Sequence, residues 1–288
     1  MTLFNLYTEG TRALEQSGNP DAGNDARQLL LAAFHLDMTH YLLNRMQPLP
    51  DSGPARGATD LYREMIGKRR RRVPLQQILG CQEFMGLEFC VNRHVLIPRQ
   101  DTETLVELVL EEHEEGDRLL DLCTGSGCIA VSLAVKGKFS SVTATDISRE
   151  ALHVAKRNGE RLFAGAIAFY QGDLFAALPA ETSGSCPGFD IITANPPYIP
   201  TAVIRTLQPE VRDHEPVLAL DGSGDGVYYY RRIAAKARDY LTDRGRLYLE
   251  IGHDQGDVVS GILDSHGYRN IRVVKDLPGN DRVVCAAI

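Results

Sequence analysis

The sequence predicts an α/β protein in which a mostly parallel sheet, covered by helices on both faces and ending in a reversed strand, follows a small all-helical domain. Three observations carry this reading. Residues 1–75 show helical periodicity, strands and helices alternate from about Asp101 onward, and the last two strand candidates are separated only by Lys275 to Asp281. A parallel connection needs a crossover of about a dozen residues, so those two strands must pair antiparallel. Alternation elsewhere means a sheet buried between two helical layers.

In the first segment Leu3, Leu6 and Tyr7 open an i, i+3, i+4 pattern that runs through Leu14, and a second continues from Asp25 through Leu29, Leu30, Ala33 and Phe34. The turn-rich stretch Gln47-Pro48-Leu49-Pro50-Asp51-Ser52-Gly53-Pro54 breaks the pattern, and a helix resumes over 58–68. His35 and His40 stand five apart, off a shared helical face, and read as structural. Residues 83–95 read as a hairpin turning at Gly86, with Phe84, Leu87, Phe89 and Val91 loosely alternating. Strands are expected at 118–122, 141–146, 167–171, 190–194, 246–251, 271–274 and 282–286, with helices at 128–135, 149–158, 227–241 and 255–265. The domains are therefore a helical segment at 1–75, a linker with the hairpin at 76–98, and the α/β domain at 99–288.

Composition narrows the class. A chain of 288 residues, 43% hydrophobic and 24% charged, has the make-up of a folded protein of about two domains. No apolar run reaches the ~18 residues of a membrane span. The start, Met1-Thr2-Leu3-Phe4-Asn5, lacks a basic patch followed by an apolar stretch, so a cytoplasmic protein is expected. Cys81, Cys90, Cys123, Cys128, Cys186 and Cys285 show no paired CxxC spacing and no matching histidine pattern, which points to free thiols and no metal. The net charge of −7 argues against nucleic-acid binding by the whole surface. It is unevenly spread: residues 1–75 hold ten Lys/Arg and eight Asp/Glu. The run Lys68-Arg69-Arg70-Arg71-Arg72 has two readings, a solvated helix end or a contact with the phosphates of ribosomal or other RNA.

Asp121-Leu122-Cys123-Thr124-Gly125-Ser126-Gly127 follows the first strand of the α/β domain and opens a helix. Glycines there let a ligand approach the backbone closely, and the helix start supplies free N–H donors. Asp146 ends the next strand, where a carboxylate can take both hydroxyls of a ribose. Asp173, followed by Leu174, comes after the third strand and is placed to accept from an adenine amino group. Together these features specify an adenosine-containing cofactor without specifying its chemistry. The third position of the dinucleotide signature is Ala130, a permitted substitute, so a nicotinamide cofactor stays open on this motif alone.

Asn195-Pro196-Pro197-Tyr198 follows the fourth strand and should face the same crevice as the glycine loop. An amide or exocyclic amine nitrogen is a poor nucleophile because its lone pair is delocalised. Two acceptors aimed at its N–H bonds, Asn195 Oδ1 and the Pro196 carbonyl, orient it and favour pyramidalisation toward an electrophilic methyl group. Pro197 stiffens the loop, and Tyr198 offers a flat face for a planar group. The chemistry is methyl transfer from S-adenosyl-L-methionine, leaving S-adenosyl-L-homocysteine, with positioning as the main catalytic contribution. An open parallel sheet with a reversed last strand is the class I methyltransferase variant of the Rossmann plan.

With these motifs in place, the chain resembles the release factor glutamine methyltransferases of the HemK/PrmC type nearly end to end. The resemblance rests also on Pro74-Leu75-Gln76-Gln77-Ile78-Leu79-Gly80, Val95-Leu96-Ile97-Pro98-Arg99, His214-Glu215-Pro216, Leu249-Glu250-Ile251-Gly252 and Asp281-Arg282-Val283-Val284. It implies a substrate glutamine in the Gly-Gly-Gln motif of class I peptide chain release factors, gripped with help from the helical domain. Cys123 stands where the family usually has glycine, and Leu174 where some members have an aromatic residue. Three rivals fit less well. A DNA amino-methyltransferase should carry a basic cleft and a recognition insertion, a nicotinamide oxidoreductase leaves Asn195-Pro196-Pro197-Tyr198 unexplained, and for a non-catalytic ribosome- or RNA-binding module only the run Lys68–Arg72 speaks. No DNA or membrane partner is expected.

Overall fold

The computed structural model describes residues 1–179 and 188–288, so Cys186 lies outside the described residues. The chain divides into two compact units, one of Met1–Gly80 with Gln208–His214 and one of Cys81–Leu207 with Glu215–Ile288.

The first unit is helical: α1 (Leu3–Glu15), α2 (Ala22–Phe34), α3 (Met38–Asn44), α4 (Pro54–Arg70) and α5 (Leu75–Leu79), joined by the short α10 (Pro209–His214) from far along the chain. A capping box starts α1, with the Thr2 hydroxyl accepting from the Asn5 N–H and the Asn5 side chain from the Thr2 N–H. His35 closes α2 in the left-handed conformation. Helix α4 begins four residues earlier than the sequence predicts, because Pro54 suits a first helical turn, where its missing N–H is not needed. Leu6, Leu14, Leu29, Leu30 and Tyr62 form the core. Gly10 is the contact point of α1 and α4: a Cβ there would lie 2.0 Å from the Tyr62 hydroxyl oxygen, which bonds to the Leu6 carbonyl.

The basic run at the end of α4 is largely consumed within this unit. Arg69 is buried, with Nε donating to Asp25 at 2.6 Å and Nη1 to Glu210 of α10 at 2.8 Å. Arg72 donates to the other Glu210 oxygen at 2.7 Å, and Lys68 pairs with Glu64. Arg70 and Arg71 are exposed.

The second unit opens with an antiparallel pair, β1 (Cys81–Phe84) and β2 (Leu87–Cys90). Its main sheet has seven strands: β3 (Arg118–Leu122), β4 (Ser141–Asp146), β5 (Ile167–Gln171), β6 (Phe189–Ala194), β7 (Leu241–Glu250), β8 (Arg269–Lys275) and β9 (Asp281–Ala287). Their order is β5-β4-β3-β6-β7-β9-β8. Strands β3 to β7 pair parallel, while β9 runs antiparallel to both β7 and β8. The hairpin of the last two strands is as expected, but β9 slots between β7 and β8, an order that spacing alone does not reveal.

Both faces are covered, as a parallel sheet requires. On one face Leu120, Ile192 and Leu247 pack against α11 (Tyr228–Ala237) and α12 (Gly256–Ser265). On the other, Leu119, Ile191 and Tyr248 pack against α6 (Glu103–Glu112) and α7 (Cys128–Lys136), and α8 (Arg149–Leu162) completes the layer; the short α9 (Thr201–Ile204) follows β6. Helix α11 is shorter than predicted because β7 takes the chain from Leu241. No described helix is long and apolar enough to cross a membrane.

The Asp25–Arg69–Glu210 cluster yields a first prediction. Arg69→Ala leaves the buried Asp25 carboxylate without its cation and Glu210 with Arg72 alone, and is expected to cost the helical unit about 3–5 kcal/mol. Urea unfolding followed by far-UV circular dichroism measures it, since the chain has no tryptophan. A cost within error of zero would refute the structural role of the cluster.

Candidate active site

The chain runs outward from β3 in both directions, to β4 and β5 on one side and to β6 and β7 on the other. That reversal opens a crevice beyond the carboxyl ends of the strands, where ligands of such sheets bind. Lying wholly in the second unit, it holds about 990 Å3 of empty space, open mouth included.

The glycine loop forms its floor. Cys123, Thr124, Gly125 and Ser126 line the crevice. Gly127 lies behind them and starts α7 with φ +81°; a Cβ there would meet Ala155 at 3.1 Å, so glycine is required by conformation and by space alike. Asp121 also lies off the wall. It is fully buried, its Oδ2 accepting from the Thr124 hydroxyl at 2.6 Å and its Oδ1 from the Thr193 hydroxyl at 2.8 Å. Burial pushes its pKa up to about 7 against these two hydrogen bonds. The sequence predicts Asp121 and Gly127 as cofactor contacts, but neither lines the crevice; both shape the loop that does.

Asp146 lines the crevice as expected. Its oxygens accept from the N–H groups of Gly125 and Ser148, both at 2.8 Å, which fixes its plane while leaving acceptor capacity for hydroxyls. Burial raises its pKa and the Ser148 and Gly125 N–H groups oppose the rise. Asp173 and Leu174 also line the crevice, but Asp173 is held in a fork by Arg232 of α11 at 3.0 and 2.7 Å, so its orientation is set by an ion pair invisible to local sequence.

Asn195 and Pro197 reach the wall; Pro196 and Tyr198 do not. The Tyr198 ring packs against the apolar core on the α11 face, and its carbonyl accepts from Gln255 at 3.1 Å. An aromatic ring gains more by that burial than by standing free, which corrects the expectation of an open stacking face. The opposite wall is the segment His94–Arg99 with Pro216, Leu218 and Ala219. Arg99 Nη2 donates to both oxygens of the buried Glu215, at 2.7 and 2.8 Å, and so joins the segment Val95-Leu96-Ile97-Pro98-Arg99 to His214-Glu215-Pro216. Thr102 and Tyr229 line the crevice too, and motif reading missed them.

A reversed strand wedged between two others at the sheet edge separates this topology from the all-parallel nicotinamide-binding sheets. The wall chemistry agrees. His94 and Arg99 are its basic residues, and Arg99 is held by Glu215, so a pyrophosphate would find little counter-charge, whereas a cationic sulfonium would suit the carboxylate of Asp146. Fold and crevice thus define a class I S-adenosylmethionine-dependent methyltransferase.

Comparison with known proteins narrows the class. The family model for a methyltransferase domain matches residues 113–255, and that for the PrmC N-terminal domain matches residues 5–80. The release factor glutamine methyltransferase of Geobacter sulfurreducens is 40% identical over 272 residues, covering 94% of this chain and 91% of its own. That of Bacillus subtilis is 37% identical over 296 residues, covering 100% and 98%. A crystal structure of a methyltransferase from Pyrococcus furiosus superposes with a TM-score of 0.54 at 17% identity over 77% of this chain and 98% of that one, a likeness of fold alone. The chain belongs to the release factor glutamine methyltransferase family.

Asp146→Ala is expected to weaken S-adenosylmethionine binding by about 2–3 kcal/mol, the scale of a lost pair of charge-assisted hydrogen bonds. Titration calorimetry on the folded variant measures it, and unchanged affinity would remove Asp146 from the site.

Proposed function

We propose that this enzyme methylates the side-chain amide nitrogen of the glutamine in the Gly-Gly-Gln motif of class I peptide chain release factors, in the cytoplasm. The observation that carries the reading is the setting of Asn195. It stands on the crevice wall at the carboxyl end of β6, with Nδ2 directed at the Thr102 hydroxyl oxygen, 3.5 Å away. That leaves Oδ1 as the atom offered to a substrate N–H.

S-adenosylmethionine supplies an electrophilic methyl group on a positively charged sulfur. The residues of this chain do the rest. Asp146 would hold the ribose through its spare acceptor sites, and the backbone from Cys123 to Ser126 would lie against the cofactor. Asn195 Oδ1 would take one N–H bond of the substrate amide and aim its nitrogen lone pair along the line of transfer, while Pro196, whose carbonyl the sequence suggests as a second acceptor, stands off the crevice wall. Pro196 lacks an N–H, so no donor competes at that end of the loop. The helical unit is the substrate-recognition domain in this reading. An RNA contact by the basic run finds little support, since Lys68, Arg69 and Arg72 are engaged in ion pairs.

Two experiments test the assignment. Aspartate at position 195 keeps an acceptor, whereas alanine leaves one substrate N–H unpaired in the crevice. Asn195→Ala is expected to cost about 3–4 kcal/mol in the transition state, or on the order of 10²–10³ in kcat, with Asn195→Asp intermediate. Single-turnover rates at saturating cofactor measure the order, and alanine matching or exceeding aspartate would sink the acceptor mechanism. Deleting residues 1–75 is expected to leave S-adenosylmethionine affinity intact and to raise KM for a whole release factor, because the lost surface contributes uniform binding. Equal efficiency of both forms on the intact factor would contradict the recognition role.

A further inference from the structure

Behind the crevice wall lies a carboxylate that the mechanism so far leaves unused. Glu250 ends β7, and the parallel pairing of Ala194 with Leu249 sets it beside Asn195, one residue further along each strand. It is 2% exposed, and among the described residues its Oε2 has no hydrogen-bond partner. Thr102, equally buried, stands 3.5 Å from Asn195 Nδ2. The donors that favour the charged form of Glu250 are the Thr102 hydroxyl and the Asn195 amide.

We propose that Glu250 is a positioning residue for methyl transfer, fixing the Asn195 amide with its NH2 group inward and its oxygen toward the substrate. The inference rests on the acceptor reading of Asn195. An ionised carboxylate only accepts hydrogen bonds. In a buried site it therefore penalises the flipped amide, which would set oxygen against oxygen with no proton between them. A buried aspartate sets the tautomer of the imidazole in serine proteases by the same logic. A protonated Glu250 loses that selectivity, because its O–H can donate to the flipped Asn195 oxygen.

The site makes this proton state responsive to pH. Burial is the largest influence on Glu250 and lifts its pKa to about 7, with Thr102, the Arg282 cation and Asn195 pulling it down and Asp101 pushing it up. Tyr198 of the Asn-Pro-Pro-Tyr loop, Tyr230 of α11 and Cys128 of α7 also face it, and burial raises the pKa of each, so they stay neutral. The deprotonated form is the productive one, so kcat should rise with pH through neutrality.

The test is methylation of a whole release factor by full-length enzyme across that pH range. Glu250→Gln presents a donor as well as an acceptor, and kcat is expected to fall about 10–100-fold, the range seen when a partner that orients a ligating side chain is removed. S-adenosylmethionine affinity and KM for the factor should hold, and the wild-type inflection should vanish. Independently of any loss of stability in the variant, the Asn195 side-chain NH2 signals of wild-type enzyme labelled with nitrogen-15 should shift through the same pH; Asn195→Asp identifies them by their loss. Wild-type turnover and pH profile in Glu250→Gln, or NH2 signals that stay fixed, overturn the proposal. If Asn195→Ala then still abolishes activity, the positioning role falls alone; if it too leaves kcat intact, the acceptor reading falls with it.

Discussion

Asp121 has no access to solvent, and each of its oxygens is taken by a threonine hydroxyl: one from Thr124 in the glycine loop, the other from Thr193 in β6. The hydroxyl of Thr193 lies two residues before Asn195, and the Thr124 backbone N–H donates to the Thr145 carbonyl, next to Asp146. One buried group therefore sets the spacing of three strand ends, and with it the distance between the cofactor floor and the residue proposed to hold the substrate. A near attack by an amide nitrogen tolerates little error in that distance. Loops of ordinary mobility could not maintain it, whereas strand ends locked by a shared, desolvated acceptor can.

The strands of the sheet and the positions of Asp146 and Asn195 could be read from the sequence because each is local. Alternating apolar residues fix a strand, and a polar residue at its carboxyl end falls on the crevice by topology. What stayed hidden depends on distant pairings. Asp121 looked like a ligand because it precedes the glycines, yet Thr193, 72 residues on, captures it. Asp173 is captured by Arg232 and Arg99 by Glu215. Glu250 carried a faint signal, a lone carboxylate within the apolar phrase Leu247-Tyr248-Leu249-Glu250-Ile251, but nothing local said which neighbour it faced.

Two residues of the site carry backbone strain. Cys123 has φ +56° and Leu174 φ +50°, the left-handed region that costs a side chain with Cβ about 1–2 kcal/mol. Both line the crevice. Glycine at the first position would carry no such cost, and the leucine strain falls where the proposed adenine contact lies. Strain of this kind persists only where surrounding structure over-determines it, and at Cys123 burial also drives the thiol toward its neutral form, so it packs as a small apolar group and not as a nucleophile.

The helical unit is discontinuous: its buried Arg69 and its Arg72 close on Glu210, a residue made about 140 positions later. On a ribosome adding about 5–20 residues per second, the first helices wait on the order of 10 s for that partner. During the interval Arg69 has Asp25 alone, and the nascent bundle exists without its last helix. The unit that emerges first is thus among the last to be completed, and its final closure comes when the strand bearing Asn195 has already been synthesised. Native helical packing is therefore complete only once the chain has been translated past residues 195–198.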